Sequence, residues 1–176
     1  MNKTFFKTGL NEFIPCKVIE TRDDDSKRIR LLADSTKGQY KAGESVHTMS
    51  QYVLTLDLSL IQRIAVKTLY PFPVTESNVI EIIKTLASHY SYTLAAYLAK
   101  MEVKAVNTYD SHNDTNDKYY WSVIHKIESI MAVLDITLDL GVGLYPAFYV
   151  MRDDKVYNEY SIEGALKEYN NFWNHS

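Results

Sequence analysis

His125, Glu128, Asp135 and Asp139 recur at spacings that put all four on one helix face. Carboxylates so placed can serve acid–base chemistry or hold a metal. At about 100° per residue, Asp135 falls about 20° to one side of Glu128 and Asp139 about 20° to the other. A di-iron bundle needs a His three residues after a Glu, whereas here His125 precedes Glu128. The spacing therefore predicts an exposed polar face whose charge suits docking rather than catalysis.

A second set of metal-ligating types, Asp110, His112, Asp114, Asn116 and Asp117, alternates along a polar stretch. It resembles the start of a calcium loop. Thr115 occupies the place that needs a turning Gly, and Trp121 the place of the bidentate Glu. The stretch is read as a solvated loop before a helix at Lys118. Nucleophile signals are absent: Cys16 lies in a β-prone run between Pro15 and Lys17, and no serine elbow, Walker loop or dinucleotide fingerprint occurs. No metal or cofactor is expected.

Positioning these residues calls for an α+β chain. The 176 residues include 46% apolar and 23% charged side chains with a net charge of −3, which excludes a disordered chain and a strongly basic tail. One cysteine forbids an intrachain disulfide and suits a reducing, cytoplasmic setting. No apolar run is long enough to cross a membrane.

In the first third, the runs around Phe13 to Ile19, Ile29 to Leu32 and Val46 to Leu56 read as short strands, the last broken near Met49 and Ser50. Gly43 marks a tight turn needing positive φ. Turn clusters at this spacing predict a small antiparallel sheet or SH3-like barrel over residues 1–56. A helical domain over 57–176 follows. Asp57 caps a short helix, and the prolines after Tyr70 end it. Thr75 is expected to cap a helix of about thirty residues with a stripe Val79, Ile83, Leu86, Tyr90, Leu94, Tyr97, Met101, Ala105. A loop over 108–117 leads to a second long helix carrying Tyr120, Ile124, Ile127, Met131, Leu134 and Leu138, stopped at Gly141. The two rods form a helical bundle, followed by a C-terminal β-hairpin plus helix. Residues 145–169 resemble the last third of a thioredoxin-like domain on Pro146, Phe148, Val150, the turn at Asp153 and Asp154, and Leu166. The redox cysteine pair is missing, and no activity is carried over.

Fourteen tyrosines and few glycines suit half-wet surfaces such as interfaces, and equally an AT-rich genome. The leading expectation is a non-enzymatic protein-interaction factor, such as a phage or mobile-element accessory protein that binds and modulates or inhibits a host protein complex. Its contacts are Tyr92, Tyr119, Tyr120 and Trp121, with Glu128, Asp135 and Asp139. A homodimer through a long helix is also expected. The alternative is a nucleic-acid binder using Lys17, Lys27, Arg28, Arg30, Lys37, Tyr40 and Lys41, although residues 1–59 hold nine basic and eight acidic groups, a net of only +1. The third reading is an enzyme with an unrecognised acidic site.

Overall fold

The computed structural model describes residues 1–68, 73–90, 93–94, 97–98, 100–102, 104–105 and 114–135. It is an α+β arrangement. Five antiparallel strands, β1 (Asn2–Lys7), β2 (Phe13–Thr21), β3 (Ser26–Leu31), β4 (Ser45–Met49) and β5 (Val53–Asp57), lie in the order β4-β3-β2-β1-β5. A 3-10 turn, Ser50–Tyr52, separates the last two at the break expected near Met49 and Ser50. The nine-residue β2 pairs with β1 through its start and with β3 through its remainder. The register shifts between Val18 and Glu20, so Ile19 is the extra residue of a bulge. Gly43 has the positive φ that its turn requires, +86°.

The chain reverses through side-chain clasps. Thr8 Oγ1 accepts from the N–H groups of Leu10 and Glu12. The Glu12 carboxylate accepts from Thr36 N–H and Lys37 N–H, tying the β1–β2 turn to the β3–β4 connection. Desolvation works against this carboxylate, yet the hydrogen bonds from Thr36 and Lys37 hold its pKa below the ordinary value.

β1 is a strand that the sequence reading missed. Phe5 and Phe6 point to opposite faces, as the two-residue period demands. Phe5 joins Leu54 and Leu56 against the helices, whereas Phe6 joins Ile14, Cys16, Ile29, Leu31 and Val53 inside the curled sheet. With adjacent Phe5 and Phe6 both buried, one on each face, β1 shows no polar–apolar alternation to read.

The short helix α1 (Leu58–Lys67) begins where expected. Asp57 Oδ1 accepts from Ser59 and Leu60 N–H at 3.1 and 3.3 Å. Thr75 does not cap by its hydroxyl: its carbonyl accepts from Asn78 and Val79 N–H, and α2 spans Val79–His89. The expected thirty-residue rod is interrupted, since Tyr90 leaves helical geometry at φ −137°, ψ 40°. The six residues from Ser88 to Thr93 read Ser-His-Tyr-Ser-Tyr-Thr, all modest helix formers, and the break falls among them. Tyr90 is consequently 42% exposed rather than in the core. Helical backbone recurs at residues 93–94, 97–98, 100–102 and 104–105, where Leu94, Leu98 and Ala105 continue the buried stripe.

Helix α3 (Asp114–Val133) starts four residues before the expected Lys118 and stops well short of Gly141. Ile124, Ile127 and Met131 are buried as their spacing predicted. Asp135 ends the turn at φ +60°, with its N–H donating to the Ala132 carbonyl. Tyr92, Asp110, His112, Leu138, Asp139 and Gly141 lie outside the described residues, as do the C-terminal hairpin, the last helix and the thioredoxin-like stretch. No described helix is long and apolar enough to cross a membrane.

Candidate functional site

Helix α3 lies against β5 and closes that edge of the sheet. Thr55 N–H, on the side of β5 away from β1, donates to Ser129 Oγ at 3.0 Å, and the same hydroxyl donates to the His125 carbonyl at 2.8 Å. His125 Nε2 lies 3.2 Å from Thr55 Oγ1. Lys126 Nζ reaches Asp57 at 3.4 Å, while at the other end Lys7 Nζ donates to the Ala132 carbonyl and to Asp135 at 3.1 Å. The polar face predicted to be free is thus largely committed to holding the helix on the sheet.

Burial and the nearby Lys27 charge lower the His125 pKa, so the imidazole is neutral near pH 7. Burial and the Asp25 charge raise that of the half-buried Glu128. Asp135 sits beyond the helix end, exposed, so Glu128 and Asp135 do not form the carboxylate pair that a continued helix would have made. Among the described residues, no three His, Cys, Asp or Glu side chains group closely enough to hold a metal ion.

The start of α3 carries a different surface. Trp121 is 52% exposed and Tyr119 37% exposed. Tyr120, packed on the core, meets Trp121 edge to face with ring centroids 5.0 Å apart and planes at 80°. That contact restricts the indole before any partner arrives.

The seven residues of the nucleic-acid reading are dispersed. Lys17 sits directly opposite Arg30 across β2 and β3, and Arg28 is two residues along the same outer face. Lys27 alternates to the inner side with Ile29, and Tyr40 packs inward, edge to face with Phe6 at 5.5 Å. Lys37 Nζ donates to the Leu10 carbonyl, and Lys41 N–H to Glu44.

Cys16 lies in the interior cluster, where burial pushes its thiol up to about 12. A thiol so protonated is no nucleophile at neutral pH. Under native conditions iodoacetamide should leave it unmodified, with full labelling once denaturant is added; rapid native labelling would contradict the burial.

The sequence reading passed over Glu102. It is 1% exposed, neither carboxyl oxygen has a hydrogen-bond partner among the described residues, and burial raises its pKa to about 9. The signal was available: Glu102 lies four residues after Leu98 and three before Ala105, in step with the stripe. No protein-family model, curated protein or solved structure matches this chain.

Proposed function

We propose that this chain is a non-enzymatic interaction factor, of the kind phages and mobile elements encode to bind and modulate a host protein complex. In this reading residues 1–56 form an SH3-like small barrel that serves as a platform. Residues 57–176 form the helical part that presents the contact surface. Three features favour the barrel: β5 returns to pair with β1, a 3-10 turn joins β4 to β5, and the bulged β2 is shared by both halves of the sheet.

The observation that carries the interaction reading is the half-exposed Trp121, held edge-on by the core-packed Tyr120, with Tyr119 beside it. Exposed aromatics restrained in this way bury large area at small entropic cost and dominate binding hot spots. The nucleic-acid reading is the weaker one, because only Lys17, Arg28 and Arg30 of its seven residues share a face.

Tagged protein incubated with an extract of its source cells should recover a specific partner. The double variant Tyr119→Ala/Trp121→Ala should reduce that recovery at least about tenfold, the scale of a hot-spot loss. Its thermal unfolding should stay close to wild type, since both side chains are exposed. Equal recovery by the two proteins would overturn the reading.

A further inference from the structure

The two edges of the sheet are finished differently. Helix α3 covers β5, and Ser129 Oγ takes the outward N–H of Thr55. Among the described residues the opposite edge, β4, pairs with β3 alone. Leu31 N–H donates to the Glu44 carbonyl, and Ser50 N–H to the Asp25 carbonyl. Between those two bonds the antiparallel alternation assigns Val46 and Thr48 to the ladder with β3. The N–H and C=O groups of Ser45, His47 and Met49 therefore point away from β3, and no described residue meets them. Solvent-facing edges are ordinarily blunted by Lys, Pro or a bulge; the β4 sequence Ser-Val-His-Thr-Met contains neither residue, and its register is continuous.

Beside this edge runs a cationic row. Lys17 and Arg30 face each other on adjacent strands with no carboxylate in ion-pair range among the described residues, and Arg28 continues the row. Glu20 is shared by Arg22 and Arg28 at 3.5 and 3.8 Å. Like charges set directly opposite lower a sheet's stability, a cost that an anionic partner removes.

We propose that β4 takes an extended acidic segment of the partner protein by strand addition. The backbone of Ser45, His47 and Met49 supplies the hydrogen bonds, and Arg28 and Arg30 on the adjoining β3 draw the carboxylates of the added strand. This rests on the reading of the chain as an interaction factor and names the chemistry of what it binds. An added strand lies about 4.8 Å beyond β4 and about 9.6 Å from β3, a span that an arginine of β3 and a glutamate of the added strand cover together. A second copy is the poorer occupant, because pairing two β4 edges lays both cationic rows on one continuous face. A nucleic acid is poorer too: phosphates accept hydrogen bonds from N–H groups but donate none to the outward carbonyls.

The probe is a fluorescein-labelled peptide alternating Glu and Val, compared with one alternating Lys and Val, each titrated into the full chain. The acidic peptide should bind saturably and the basic one should not. His47→Pro removes one outward N–H without touching the β3 ladder and should weaken binding at least about tenfold. Arg28→Glu/Arg30→Glu should weaken it as much, while amide exchange at His47 and Met49 slows only in the bound wild type.

Unchanged binding by His47→Pro overturns the proposal. So does a labelled oligonucleotide that binds through Lys17 and Arg30 regardless of His47→Pro, or a concentration-dependent dimer that His47→Pro dissolves. Partner capture that depends on Trp121 in a protein that ignores the peptide removes strand addition alone; failure of both removes the interaction reading as well.

Discussion

Glu102→Gln should make the protein more stable at pH 8 than the wild type, by about 2–4 kcal/mol, while the two converge near pH 5. In the unfolded chain this carboxyl titrates near 4.5; in the fold, burial raises it to about 9. Between those values the unfolded chain has released a proton that the folded chain still holds. Stability that is fully present below pH 4.5 is therefore lost as pH rises towards 9, at about 1.4 kcal/mol per unit. His125 works in the opposite sense, because its lowered folded pKa costs stability as pH falls below about 6.5. Comparing wild type with Glu102→Gln at each pH cancels that contribution. Urea unfolding at pH 5, 6.5 and 8 measures the difference. A variant that is less stable than wild type at every pH would mean that the carboxyl is ionised and paired in the fold.

Phe5→Ala should cost about 3–5 kcal/mol, the range for emptying a buried aromatic site. Phe5 is 2% exposed and packs with Leu54 and Leu56 in the cluster that also contains Ile61, Ile64, Ile83 and Ile127. Its loss opens a cavity in the core that the sheet shares with the helices. Both parts should then melt earlier in a single transition, seen together by far-ultraviolet circular dichroism and by tryptophan fluorescence. The inward neighbour Phe6 belongs to the separate interior cluster. If Phe5→Ala left the midpoint within a degree or two of wild type, the sheet and the helices would not share a core.

Several elements were legible from residue type and spacing. Asp57 followed by an apolar period of three to four marked the α1 cap, and Gly43 marked a positive φ. Ile124, Ile127 and Met131 marked the buried side of α3. These are local decisions, made by a cap, a missing Cβ or a helical stripe. The aromatic trio at the start of α3 was likewise visible as composition, since large rings in a polar stretch stand out against any average.

Other features depended on contacts across the chain. β1 became a strand because its Phe5 and Phe6 serve two different clusters, one of which exists only after the helices dock. The face around His125 and Glu128 looked free in sequence and is engaged because β5 presents Thr55 to it. The rod through Tyr90 broke because its apolar spacing continued across residues whose helix propensity is poor.

Residue order alone settled an α+β chain with short strands first and helices after, because periodicity and caps act over a few neighbours. Tertiary structure alone decided that the β5 edge is sealed, because that depends on where a helix some seventy residues away places one hydroxyl.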